Sequence, residues 1–129
     1  MSPAAIPPLV EMAKRILLVD DNPDIRRIVK SYLESHGMEV CGEAGDGLDA
    51  VNQAPGLKPD VVVLDFSMPR MNGLEAARKL KLQKPELPIV MLTLHKDHSL
   101  TAEAQAAGVD VVVAKSDSLN FLFEQIAKL

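Results

Sequence analysis

VVVLDFSMPRMNGLEAARKL, residues 61–80, holds one complete strand–turn–helix unit. Val61 to Leu64 is an unbroken run of β-branched and aliphatic residues, the pattern of a strand buried on both faces. The run stops at a carboxylate, Asp65. Met68-Pro69 and Asn72-Gly73 then turn the chain, and Asn72 is a good cap for a helix that stops near Pro85. A strand buried on both faces implies a parallel sheet covered by helices on each side.

The same unit recurs in both directions along the chain. Strand one spans about 15–20 and ends at Asp20-Asp21. Pro23 suits the first turn of the next helix, where its missing donor costs nothing. Ile25, Ile28, Val29, Tyr32 and Leu33 form the apolar stripe of that helix, and Gly37 ends it. Strand two covers about 39–44, and Asp46-Gly47 opens a second helix expected to end before Pro55-Gly56. Strand four covers about 88–93 and ends at Thr93. The fourth helix, about 98–107, is rich in alanine and has a thin apolar face. Strand five covers about 109–114 and ends at Lys115. A last helix presents Leu119, Leu122, Phe123 and Ile126. Five βα units predict an α/β fold: a doubly wound, five-stranded parallel sheet with five helices.

Composition narrows the function. The 129 residues suit one domain, with 47% hydrophobic and 25% charged residues. The net charge of −4 argues against nucleic-acid binding by this chain alone. One cysteine, Cys41, offers no disulfide framework, so a reducing cytoplasm is the expected compartment and a packing role the expected one for the thiol. No apolar run approaches the length of a membrane span. Residues 1–14 carry three prolines and no periodicity, and are expected to be a disordered tail ahead of a domain over 15–129.

The chemistry sits at the strand ends. In an open parallel sheet, ligands bind outside the carboxyl ends of the strands. With strand order 2-1-3-4-5, Asp20 and Asp21 lie beside Asp65. Carboxylates this close raise one another's pKa unless a cation intervenes, and a hard cation such as magnesium suits them. Asp65 can accept a phosphoryl group as an acyl phosphate. Lys115 can neutralise charge during transfer, and Thr93 can donate its hydroxyl to a phosphate oxygen.

ILLVDDNPDIRRIVKSYLE, VVVLDFSMPRMNGLEAARKLK, PIVMLTLH and the strand-five Lys115 together resemble the receiver domain of bacterial two-component response regulators, with its flavodoxin or CheY-like fold. The resemblance covers about 15–129. It implies that Asp65 is the phosphoacceptor and that the Mg2+ site is made by Asp20, Asp21, Asp65 and Ser67, with Asp21 a direct ligand, Asp20 a water-mediated one and Ser67 contributing its backbone carbonyl. It implies that Thr93 is the switch hydroxyl and Lys115 the phosphate-binding lysine. It also implies a sensor histidine kinase as donor, replaceable by acetyl phosphate, which docks beside the helix carrying Arg26, Arg27 and Lys30. A homodimer on phosphorylation is a further expectation, and enzymatic activity beyond self-phosphorylation and dephosphorylation is not expected.

Two positions depart from that family pattern. Val112 stands three residues before Lys115, where receivers usually carry Tyr or Phe, so an aromatic swing cannot accompany movement of Thr93. Ser116 stands where a cis proline often follows the lysine. LTLHKD and Lys115-Ser116-Asp117 resemble the NarL/FixJ-type subgroup, whose members commonly add a DNA-binding domain; a stand-alone receiver acting through protein contacts is the alternative. Three rivals fit less well. A haloacid-dehalogenase-type phosphatase wants an acid at Ser67, and a flavodoxin-like flavin binder wants a Ser/Thr/Gly-rich loop where Asp20-Asp21-Asn22-Pro23 stands. A scaffold-only pseudo-receiver would not need the intact acids, Thr93 and Lys115.

Overall fold

The computed structural model describes residues 13–129. Strands β1 (Arg15–Val19), β2 (Glu39–Ala44), β3 (Val61–Asp65), β4 (Ile89–Thr93) and β5 (Val111–Ala114) alternate with helices α1 (Pro23–Ser35), α2 (Gly47–Leu57), α3 (Gly73–Gln83), α4 (His98–Ala106) and α5 (Leu119–Ala127). The strands form one parallel sheet in the order β2-β1-β3-β4-β5. The α/β doubly wound architecture expected from the apolar runs is the one observed.

Alternation along each strand splits the core in two. Leu17, Val19, Val62, Leu64, Ile89 and Met91 face α2, α3 and α4 through Ala50, Ala54, Ala77, Leu80 and Ala104. Ile16, Leu18, Val61, Val63, Val90 and Leu92 face α1 and α5 through Val29, Leu33, Leu122 and Ile126. The register then aligns the strand ends: Val19 lies beside Leu64, Asp65 beside Leu92 and Thr93 beside Ala114. The next residue on β1 is Asp20 and the next on β5 is Lys115, so all the candidate groups reach one edge of the sheet.

Three local expectations need correction. α2 does not end before Pro55 but runs through it to Leu57. A proline inside a helix leaves the carbonyl four residues back without its donor. That carbonyl, on Val51, accepts instead from the Gln83 side-chain amide of α3 at 3.1 Å. Ile28 belongs to the predicted apolar stripe of α1 yet stays 53% exposed, because the core cluster shared with α5 takes Val29 and Leu33. Lys14, placed in the expected tail, is tied to the domain: its carbonyl accepts from the Glu39 amide, and its ammonium donates to the carbonyls of Ile126, Ala127 and Leu129. A cation there complements the carbonyl end of α5. The rest of the expected tail, residues 1–12, lies outside the described residues.

Gly73 fixes how closely α3 approaches β3. Its amide donates to the Phe66 carbonyl at 2.8 Å. A Cβ at this position would sit 2.6 Å from the Asp65 carbonyl oxygen and 2.9 Å from the Phe66 Cα. Alanine is the better helix former, but backbone cannot yield to it here. Gly73→Ala is therefore expected to destabilise the fold by about 2 kcal/mol in urea unfolding; an unchanged midpoint would show that the loop can give way.

Candidate functional site

Asp20, the first residue beyond β1, is fully buried. Its Oδ1 accepts from the Asn22 amide at 2.9 Å, and the Asn22 side chain in turn caps α1 by accepting from Asp24 and Ile25. The other oxygen, Oδ2, has no aligned hydrogen-bond donor. Lys115 Nζ lies 3.3 Å from it, close enough for charge attraction but off the bonding direction. The same ammonium lies 3.2 Å from Asp65 Oδ1, so Lys115 stands between two buried carboxylates. Asp21 is exposed at the mouth. One carboxylate oxygen from each of Asp20, Asp21 and Asp65 falls within a 4.8 Å group.

This donor set fits magnesium. The donors are hard oxygens, one buried oxygen has no donor aimed at it, and the exposed Asp21 leaves room for the waters magnesium retains. The cleft has a volume of about 610 Å³ and is lined by Asp21, Asp65, Ser67, Thr93, His95 and Lys115, among others. Ser67 thus sits at the cleft.

Burial dominates the electrostatics of Asp65. Desolvation, followed by the charge of Asp20, pushes its carboxyl up to about 6, while the Lys115 ammonium and the Ser67 amide pull it back. Burial alone would lower the Lys115 ammonium, but Asp65 and Asp20 outweigh it and hold it above the usual lysine range. Asp65 and Lys115 therefore form a strained charge arrangement that an added cation or a phosphoryl group would change.

Thr93 is buried, and its hydroxyl is already engaged. It donates to the His95 carbonyl at 3.2 Å and accepts from the His95 amide at 3.3 Å. The Lys115 amide donates to the Thr93 carbonyl at 2.7 Å and locks β5 to β4 at the cleft. Val112 is buried among the residues facing α4, with no ring to swing. The turn after Lys115 is closed by Asp117, whose carboxylate accepts from the Ala114 amide and whose amide donates to the Ala114 carbonyl. No cis peptide bond occurs among the described residues.

Arg26 has a role the sequence did not reveal. Its guanidinium donates to the Asp20 carbonyl at 2.5 Å and to Glu43 at 3.3 Å, pinning the β1–α1 loop to β2. Lys30 pairs with the same Glu43, and Arg27 pairs with Asp24 on its own helix. In helical periodicity Arg26 reads as a solvated charge; only the sheet order brings Glu43 to it.

A family model described as the response regulator receiver domain matches residues 16–127. A protein-glutamate methylesterase/protein-glutamine glutaminase of Pyrococcus abyssi is 34% identical over 123 residues, covering 92% of this chain and 33% of that protein. The response regulator protein VraR of Staphylococcus epidermidis is 35% identical over 118 residues, covering 91% of this chain and 56% of that protein. The crystal structure of a LuxR-family two-component response regulator from Aurantimonas superposes with a TM-score of 0.86 at 31% identity, covering 90% of this chain and 84% of that one. The chain thus spans a third to just over half the length of these two curated relatives.

Asp65 titrates higher in the fold than in the unfolded chain, so the folded state holds the extra proton between about pH 4 and pH 6. Stability should fall as pH rises through that window. Asp65→Asn keeps the shape without the charge and should stabilise the protein at pH 7.5 by about 1 kcal/mol, after allowance for water at the open cleft, and by much less at pH 4.5. Urea unfolding at the two pH values measures this; equal effects at both would contradict the raised carboxyl.

Proposed function

The chain belongs to the response regulator receiver domain family, and we propose that it takes a phosphoryl group from a sensor histidine kinase onto Asp65. The observation that carries this reading is the buried Asp65 carboxylate at the end of β3, with Lys115 Nζ 3.2 Å away and two further acids beside it. An Asp65 oxygen attacks phosphorus, the bond to the kinase imidazole breaks, and the imidazole leaves with the electron pair. Asp21, Asp65 and the Ser67 backbone carbonyl would hold Mg2+, with Asp20 reaching it through water. Once bound, the ion supplies positive charge against the phosphoryl oxygens. Lys115 exchanges part of its pairing with Asp65 for the new phosphoryl oxygens. Thr93 must release His95 to donate to them.

That release is the switch. The Thr93 hydroxyl holds the β4–α4 loop through both polar backbone groups of His95, so its departure frees that loop. α4 begins at His98, just after that loop, and buries two of its residues, Leu100 and Ala104. Val112 keeps β5 out of it. The output is a change in a protein-interaction surface, with dimerisation on phosphorylation. The LuxR-family relative supports a regulatory domain of a DNA-binding transcriptional regulator, with DNA contact made elsewhere than in this chain. On this reading the protein works in the cytoplasm beside its kinase; no described helix is long and apolar enough to cross a membrane.

Acetyl phosphate with magnesium should add one phosphoryl group to the chain, read by intact mass, and none to Asp65→Asn. Full modification of that variant would move the acceptor elsewhere. Magnesium should also raise the thermal midpoint of the wild type, since it binds the folded site and not the unfolded chain. Asp21→Ala should lose most of that rise.

A further inference from the structure

Arg70 sits in the loop between Asp65 and α3 with a φ of +63°, in the left-handed region that residues with a Cβ seldom occupy. The Met71 amide donates to the Pro69 carbonyl at 2.7 Å across it, which makes the turn a γ-turn of the rarer, strained kind. Strain of this sort persists only where surrounding contacts hold it. Two sets of contacts do so. The guanidinium reaches Asp46 Oδ2 through Nε at 2.8 Å and Nη2 at 2.6 Å, and Asp49 Oδ1 through Nη2 at 3.0 Å. Asp46 is itself buried, and its other oxygen caps α2 by accepting from the Asp49 amide at 2.9 Å. Independently, Gly47 packs so tightly on the loop that a Cβ there would collide with the Met71 carbonyl oxygen.

The start of α2 is therefore a rigid abutment for the loop that runs from Asp65 through Ser67 to Gly73. An ordinary surface ion pair would not need a strained backbone on one side and a helix cap on the other. We infer that Arg70 is a positioning residue: by locking the β3–α3 loop to Asp46 and Asp49, it holds the Ser67 backbone where the cation and phosphoryl oxygens of the proposed reaction are received. This rests on Asp65 being the phosphoacceptor. It assigns Arg70 no contact with either ligand; its effect passes through the loop backbone.

The test uses the full chain and magnesium chloride. Arg70→Gly removes the guanidinium and at the same time relieves the positive φ, so the metal-free thermal midpoint should hold or rise. Calorimetric magnesium affinity should nonetheless fall roughly tenfold, as it does when an outer partner of a metal ligand is lost. Amide exchange across residues 66–73 should quicken. Asp46→Asn keeps the helix-capping oxygen but loses the charge and should reproduce the loss. The double variant should be no weaker than either single one, because both remove the same lock. Arg70→Lys, which keeps the charge, should recover part of the affinity. Magnesium affinity of Arg70→Gly equal to wild type, or additive losses in the double variant, would overturn the inference. Absence of magnesium binding and of phosphorylation in the wild type would instead overturn the functional reading on which it rests.

Discussion

The Lys115 ammonium between the buried carboxylates of Asp20 and Asp65 is the interaction on which the site depends. Two acids so close would not share buried space as anions without a cation beside them. Lysine is a point charge on a flexible stem, able to hold both carboxylates and later to follow a phosphoryl group. The compensation is incomplete. Asp65 still rises to about 6, and Asp20 keeps one oxygen with no donor aimed at it. That residue of unsatisfied negative charge is what makes the cleft receptive to a divalent cation.

Everything in the sheet serves to bring these charges together. Parallel pairing with β1 and β4 on either side of β3 sets Asp20 and Thr93 beside Asp65, and β5 delivers Lys115 past Thr93. The glycine at 73 lets α3 start directly on the β3 backbone, which closes the loop carrying Ser67. Helix caps at Asn22, Asp46 and Asn72 fix three of the loops that surround the cleft. On the other side of the cleft the Thr93 hydroxyl ties both polar backbone groups of His95, and α4 is held through Leu100 and Ala104.

The sheet was legible because β1, β3, β4 and β5 are apolar runs that each end at a polar residue. Asp20, Asp65, Thr93 and Lys115 are each one step from such a run and Asp21 two, and the parallel register carries that spacing into space. What was not legible depended on contacts between distant elements. Pro55 reads as a stop, and only the Gln83 amide, supplied from α3, lets α2 continue past it. Ile28 reads as core, but the neighbouring α5 shares its cluster with Val29 and Leu33 instead. Arg26 and Arg70 read as solvated charges; their partners, Glu43 with the Asp20 carbonyl and Asp46 with Asp49, lie in other segments. No local signal marks Arg70 as a residue with positive φ, since glycine or asparagine is the usual choice there.

Asp65 is a buried carboxylate whose charge is held in check by Lys115 and opposed by Asp20. Carbon NMR of the Asp65 carboxyl, titrated in metal-free protein, reads that balance at the carboxyl itself. The midpoint should lie near 6, move higher in Lys115→Met, move lower in Asp20→Asn, and drop when magnesium is added. A midpoint near 4, the ordinary carboxylate value, that ignores all three changes would contradict it.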